Sequence, residues 1–435
     1  MKVLGLIVEY NPFHNGHLYH LNKAKEIVKP DFTIAVISGN FCQRGEPAII
    51  DKFSRAEIAL KNGIDVVFEL PVVYALQDAG GFAYGAISLL DKLKIVTDIV
   101  FGSESADKQF ITEVAKVLSI NSTEFDKILK KELKKGISFP NARKFALKEF
   151  LKKDVNFIKK IENSNDILGI EYVKSILKLN SNIKYNVIKR IGARYNELNL
   201  TNKYSSATAI RNAIKMDKEF KEFVPDSSYE ILKHTFLKGK GPVFLEDMEQ
   251  FILTFLRLKR REDLKKTYSF NEGLDQRFIN AIKNSTTLSE FLDNVKTKRF
   301  TYSRIRRAIF HAIFNFEKEY IDFSNKLGVQ YARILGFTRK GQKLLSKIKN
   351  VSKIPIISNP SLKDKILKKV LSSEKFEINK CLFNWQFKKD ILASNIYTMF
   401  YPKKTQRKYG VDFRKPIIIE GKNERNNYRS DRKRM

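Results

Sequence analysis

The segment Pro12-Phe13-His14-Asn15-Gly16-His17 places two imidazoles three positions apart with a glycine between them. On the first turn of a helix, His14 and His17 would point at one ligand. Their reference pKa of about 6.5 lets a neighbouring polyanion protonate them, which suits them to stabilising charge that develops when a phosphate is attacked. Gly16 removes the side chain where a backbone could approach that phosphate closely. The helix start contributes free N–H groups and a partial positive charge.

Chemistry of this kind needs a rigid mount. The apolar run Val3–Val8 reads as a strand ending near Glu9, Pro12 fixes the turn, and Leu18, Leu21 and Ala24 follow at helical spacing. Short β-branched runs recur at Phe32–Ser38, Asp65–Glu69, Ile99–Phe101 and Ile183–Ile188, separated by helical patterns. Continuous apolar strands between helices indicate a parallel sheet covered on both faces, with ligands at the carboxyl ends of its strands. The expected fold class is therefore α/β, Rossmann-like over residues 1–218, with the Lys- and Phe-rich stretch Thr123–Leu151 as a helical insertion on the rim. From 219 to 326, Leu, Ile and Phe recur at helical spacing, which predicts an α-helical basic domain. Residues 327–435 read as a small mixed region, strand-like at Ile354–Ile357 and helical at Leu362–Val370. Lys403 to Met435 carry twelve Lys or Arg against four Asp or Glu, and the final dozen residues are expected to be disordered.

Lys and Arg total 81 against 48 Asp and Glu, a formal net charge of +33. A field of that sign attracts polyanions and points to a nucleic-acid partner, although codon bias toward Lys, Asn and Ile raises the same count. The two cysteines, Cys42 and Cys381, have no partners at metal-ligand spacing. Neither a disulfide framework nor a zinc site is expected, and a reducing cytoplasm fits. Met1 to Val8 lacks both the length of a membrane span and the layout of a signal peptide, so no membrane partner is expected.

The His-x-Gly-His segment resembles the superfamily of nucleotidylyltransferases and class I aminoacyl-tRNA synthetases. Their second signature, of the Ser-Ser-Thr-x-Ile-Arg type, is matched by Ser206-Ala207-Thr208-Ala209-Ile210-Arg211, with Ala207 in place of one Ser. Thr208 is expected to cap a helix whose N–H groups receive phosphate, with Arg211 adding charge. Further stretches narrow the likeness: Ser38-Gly39-Asn40-Phe41-Cys42-Gln43-Arg44-Gly45-Glu46-Pro47, Asp51-Lys52, Arg55-Ala56, Glu69-Leu70-Pro71, Phe101-Gly102-Ser103-Glu104, Ile167-Leu168-Gly169-Ile170-Glu171-Tyr172 and Lys189-Arg190-Ile191-Gly192. Together with Tyr331-Ala332-Arg333-Ile334-Leu335-Gly336-Phe337, they resemble the bacterial tRNA(Met) cytidine acetate ligases.

That resemblance implies a nucleotidyltransferase domain in which ATP activates acetate as acetyl-adenylate; Mg2+ is expected because triphosphates normally arrive with it. Acetyl would then pass to the exocyclic amine of the wobble cytidine of elongator tRNA(Met), forming N4-acetylcytidine. It casts His14 and His17 as catalytic. It places ATP against Ile7, Val8, Glu9, Tyr10, Asn11, Pro12, Phe13, His14, Asn15, Gly16, His17, Leu18, Tyr19 and His20, and against Gly102, Asn165, Arg190, Thr208 and Arg211. Gly102 would let a purine or ribose lie on the backbone, Asn165 offers a donor and an acceptor, and Arg190 can clamp phosphate oxygens. Asp166 receives no role, and no carboxylate is named as a metal ligand.

The run Lys298-Arg299-Phe300-Thr301-Tyr302-Ser303-Arg304-Ile305-Arg306-Arg307 opens an amphipathic helix with Ile305, Ile309, Ile313 and Phe316 on its buried stripe. Arg304, Arg307 and His311 share another face, which with Arg299 is expected to track an RNA backbone; a solvated charged face is the bland alternative. Two other readings of the chain stay open. One is a nucleotidylyltransferase acting on a small phosphorylated or carboxylated substrate. The other is a non-catalytic RNA-binding protein on a relic nucleotide fold, against which the intact His14 and His17 argue.

Overall fold

Five short strands lie parallel: β1 Val3–Val8, β2 Phe32–Ser38, β3 Val66–Leu70, β4 Asp98–Ser103 and β5 Lys184–Lys189. β2 and β3 are buried along nearly their whole length because helices cover both faces, which is why they carry apolar runs rather than an alternating pattern. The order is β3-β2-β1-β4-β5, so the direction of succession reverses between β1 and β4. Such a reversal leaves a crevice outside the strand carboxyl ends. The computed structural model describes residues 1–120, 122–153, 155–191, 200, 204–414 and 417–420; Gly192 and the tail beyond 420 lie outside the described residues.

The rim insertion forms two helices, Thr123–Lys134 and Phe139–Leu151, which send Phe125 and Leu147 into the main core. The stretch from 219 to 326 is helical as expected, yet it shares that core with the sheet. Phe41, in the segment after β2, packs against Phe310 at 4.8 Å and Phe314 at 5.0 Å between ring centroids.

The region beginning at 327 does not stand apart. Ala332–Thr338 forms a strand, β6, that runs antiparallel along β3 and pairs Val66 with Phe337 and Glu69 with Arg333. Two short strands, β7 Ile356–Ile357 and β8 Ile418–Glu420, lie parallel to β6. The expected boundary at 327 therefore passes between strands of one sheet. β6 escaped the pattern reading because Arg333 and Gly336 interrupt its apolar run. Arg333 is tolerated there by partners distant in sequence, Glu69 at 3.2 Å and Asp412 at 2.9 Å. Lys52 completes the cluster, 2.7 Å from Glu69 and 3.0 Å from Asp412. All four side chains are buried, two of each sign. Burial opposes the Asp412 charge, but Arg333 and Lys52 outweigh it and hold the carboxyl low.

Candidate active site

A cavity of about 300 Å³ opens at the reversal point, walled by the ends of β1, β4 and β5 and by the starts of three helices, Asn15–Val28, Ser164–Lys178 and Ala207–Lys215. After β1 the chain turns through Tyr10, at φ +50°, and a cis Asn11–Pro12 peptide. Arg211 locks this turn by donating to the Asn11 carbonyl at 2.8 Å and to Glu46 at 2.9 Å. Asn11 also accepts the Ile49 N–H through its side chain, at 2.8 Å.

His14 caps the Asn15–Val28 helix, its Nδ1 accepting the Gly16 N–H at 3.0 Å. With Nδ1 an acceptor, the proton of the neutral His14 ring sits on Nε2. His17 Nδ1 accepts the His14 N–H at 3.3 Å, and the two rings, tilted by 31°, have centroids 3.7 Å apart. A side chain at 16 would meet His14 at 2.9 Å, so Gly16 serves the fit of that ring. Burial, then the charges of Arg190 and Arg211, push His14 down to about 3. Burial, then His14, His20 and Arg190, drive His17 well below its usual value. Without an anion, then, both imidazoles are neutral at physiological pH, and protonation must await one that offsets the arginines.

Tyr10, 1% exposed, packs edge-on against Phe13 at 4.5 Å and His17 at 5.0 Å and backs the cavity wall. Ile7, Val8, Glu9, Asn11, Gly16, Tyr19 and His20 also line it. Pro12, Phe13, Asn15 and Leu18, predicted with them, do not reach the wall. Leu18 packs partly buried on the core, and Asn15 donates to the Glu222 carbonyl at 2.8 Å.

Gly102, Asn165 and Arg190 come together as the spacing could not have told. The room beside Gly102 is taken by the stem of Arg190: an added Cβ would lie 3.1 Å from Arg190 Cγ. Asn165 is held by Glu104, through its backbone N–H at 3.1 Å and its amide at 2.6 Å. Asp166, given no role from the sequence, is fully buried. It accepts the Ser103 hydroxyl, the Ser105 N–H at 3.1 Å and the Asn163 amide at 3.0 Å. It thereby fixes the loop that leaves β4. Its place in a first helical turn was the available signal. At the second signature Ser206, rather than Thr208, caps the helix, accepting the Ala209 N–H at 3.0 Å. Thr208 sits in the first turn and lines the cavity with Arg211. Gln43, Arg44, Glu46 and Tyr172 line the cavity as well.

The arginines expected to meet RNA divide. Arg304, half-buried, bonds Asn271 at 2.7 Å and Glu272 at 3.0 Å and lies over the Phe300 ring. Arg299 is likewise half-buried, near the start of the Tyr302–Ile313 helix. Arg307 turns inward and donates to the Gln43 carbonyl at 3.2 Å. His311 is buried, with Nε2 2.8 Å from the Leu76 carbonyl and Nδ1 2.7 Å from the Ser269 hydroxyl. The expected face exists, but its inner part packs on the segments after β2 and β3. Gly45, at φ +73°, permits this, because a Cβ there would stand 2.5 Å from the Arg307 nitrogen.

A sheet of this order with paired histidines at its crevice defines a nucleotidyl-transferring class of protein, and the family model described as HIGH Nucleotidyl Transferase matches residues 1–412. The tRNA(Met) cytidine acetate ligase of Thermosipho melanesiensis is 74% identical over 426 residues, covering 98% of this chain and 100% of the relative. That of Fervidobacterium nodosum is 54% identical over 96% of this chain and 99% of its own length. The crystal structure of apo Thermotoga maritima TmcAL superposes with a TM-score of 0.94 at 50% identity, covering 96% of this chain and 99% of that one. The same protein bound with alpha-thio ATP gives 0.91 at the same identity and coverage. The chain belongs to the tRNA(Met) cytidine acetate ligase family. Among the described residues no helix is long and apolar enough to cross a membrane, and no group of three His, Cys, Asp or Glu is placed to hold a metal ion.

Proposed function

We propose that this chain is an ATP-dependent ligase that activates acetate as acetyl-adenylate and passes the acetyl group to the exocyclic amine of the wobble cytidine of elongator tRNA(Met). N4-acetylcytidine, AMP and pyrophosphate are the products. The observation that carries this reading is the close His14–His17 pair sharing one cavity with Arg190 and Arg211 at the sheet's reversal point. Acetate is a poor acylating agent because oxide would have to leave, whereas a mixed anhydride with AMP expels a stable phosphate. Holding acetate, ATP and base together then supplies much of the rate by proximity.

His14 and His17 stabilise the α-phosphate during attack, Arg190, Arg211 and Thr208 hold the triphosphate, and Gly102 and Asn165 border the nucleoside. Mg2+ would enter with the triphosphate and neutralise part of its charge, carried by the phosphates rather than by Glu46, which is tied to Arg211. Arg299 and Arg304 meet tRNA from outside, with Arg307 supporting their helix from within. The work is done in the cytoplasm.

The test is one incubation with ATP, radiolabelled acetate and bulk tRNA. Label in tRNA that requires ATP supports the ligase. Label from α-labelled ATP in a small product, with none from acetate in tRNA, would support nucleotidyl transfer instead.

A further inference from the structure

Glu9 stands at the carboxyl end of β1, just before the turn that presents the two histidines, and it lines the cavity. One carboxylate oxygen is fixed: Oε1 accepts the Gln43 N–H at 2.7 Å and the Ser38 hydroxyl at 3.2 Å. Arg55 holds the Glu9 backbone carbonyl at 2.6 Å, so main chain and side chain are both anchored. Oε2 has no donor among the described residues.

The two chemical steps proposed above, on which this inference rests, make different demands. Activation needs no base, because acetate attacks as an anion: an oxygen–phosphorus bond forms and pyrophosphate departs. Transfer does need one. As the cytidine nitrogen bonds to the acetyl carbon and the bond from that carbon to the AMP oxygen breaks, an N–H proton must leave. His14 and His17, pressed by burial and by cationic neighbours, are poor acceptors. The geometry points to Glu9 Oε2 as the base that takes this proton, with AMP leaving as its anion.

The surroundings support the assignment. Burial raises the Glu9 carboxyl above its usual range, the Gln43 N–H works against that, and the Glu46 carboxylate adds to the rise. Cys42, Arg55 and Tyr172 also face Glu9, and Arg211 acts on it through Glu46. A carboxylate moved toward neutrality is a better proton acceptor at working pH.

Glu9→Gln keeps the size of the side chain and an oxygen for Gln43 and Ser38, but cannot take a proton. Acetate-dependent exchange of pyrophosphate into ATP reads activation, and single-turnover passage of labelled acetyl to tRNA reads transfer. General-base catalysis contributes about a hundredfold or more, so the variant's ratio of transfer to exchange should fall by at least about twentyfold. Its residual transfer should also lose the decline that the unmodified protein shows as pH falls through the Glu9 titration. Glu9→Asp should regain part of the transfer together with that decline. Equal loss of both reactions in both variants would overturn the assignment, making Glu9 a support for the fold or for the metal–triphosphate. So would unchanged transfer. Absence of acetate-dependent exchange and of labelled tRNA with the unmodified protein is a separate pattern, and it would overturn the functional reading as well.

Discussion

Arg307 and Glu9 are joined through a single peptide segment: the guanidinium donates to the Gln43 carbonyl at 3.2 Å, and the Gln43 N–H holds Glu9 at 2.7 Å. The helix proposed to meet RNA and the strand end proposed to meet ATP are thus linked through Gln43. Arg307→Met should remove a charge-assisted bond worth about 1.5–3 kcal/mol and slow acetyl transfer, without changing the salt dependence of tRNA binding. Arg304→Ala should do the reverse, flattening the slope of log affinity against log salt by about 0.7–0.9 for a lost phosphate contact. Filter binding across a salt series, run beside the transfer assay, checks both. A flattened slope for Arg307→Met would mean that its guanidinium does reach RNA.

On the proposed reading, His14→Ala and His17→Ala each remove one preorganised donor from the attacked phosphate. The expected cost is about 2.7–4 kcal/mol, or a hundred- to a thousandfold in acetate-dependent pyrophosphate exchange. Circular dichroism and tRNA affinity should stay near those of the unmodified protein. Near-normal exchange in both variants would remove the pair from the mechanism.

ATP that binds the folded chain alone should raise its melting temperature, by the equivalent of about 2.7 kcal/mol at a hundred times the dissociation constant. Arg190→Ala should shrink that shift while leaving the melting temperature without ATP little changed. A full shift in the variant would place the triphosphate elsewhere.

The buried quartet of Lys52, Glu69, Arg333 and Asp412 predicts a large loss when one member goes. Lys52→Met or Asp412→Asn leaves an unmatched buried charge and should cost about 3–5 kcal/mol in a denaturant melt. A loss under 1 kcal/mol, measurable by the same melt, would mean that solvent reaches the quartet.

His311 gives a pH prediction. Burial, countered by the Leu76 carbonyl and reinforced by Arg307, lowers it to about 3. The unfolded chain takes up that proton near pH 6.5 and the folded chain does not, so the stabilisation is complete above about 6.5. It is lost as pH falls toward 3, by up to about 1.4 kcal/mol per pH unit. His311→Gln should flatten the melting temperature between pH 6.5 and 4. An unaltered slope would assign the acid sensitivity to other groups.

What could be read in the sequence was local. Val3–Val8, the turn at Pro12 and the His14–His17 spacing specify a strand, a turn and a helix start within some twenty positions, and the site follows from them. Arg304, Arg307 and His311 were correctly grouped on one helical face, but helical phase does not say whether a polar face meets water or another part of the chain. Only the close approach at Gly45 decides that. The Glu104–Asn165 and Asp166–Ser103 contacts were opaque for the same reason, since each joins residues some 60 positions apart and spacing carries no trace of them.

The antiparallel pairing of β6 along β3 also sets a timetable for synthesis. A ribosome that has delivered residues 1–330 has made every element that lines the cavity, yet Val66–Leu70 still ends the sheet as an unpaired edge and Glu69 lacks Arg333. Open edges invite pairing with other chains. The nascent protein therefore passes through an interval in which every residue that lines the cavity has been made but this edge of the sheet is still open. The arrival of Ala332–Thr338 closes that interval, so aggregation during translation should be sensitive to how quickly this stretch is made and to whether ATP is there to steady the half-built domain.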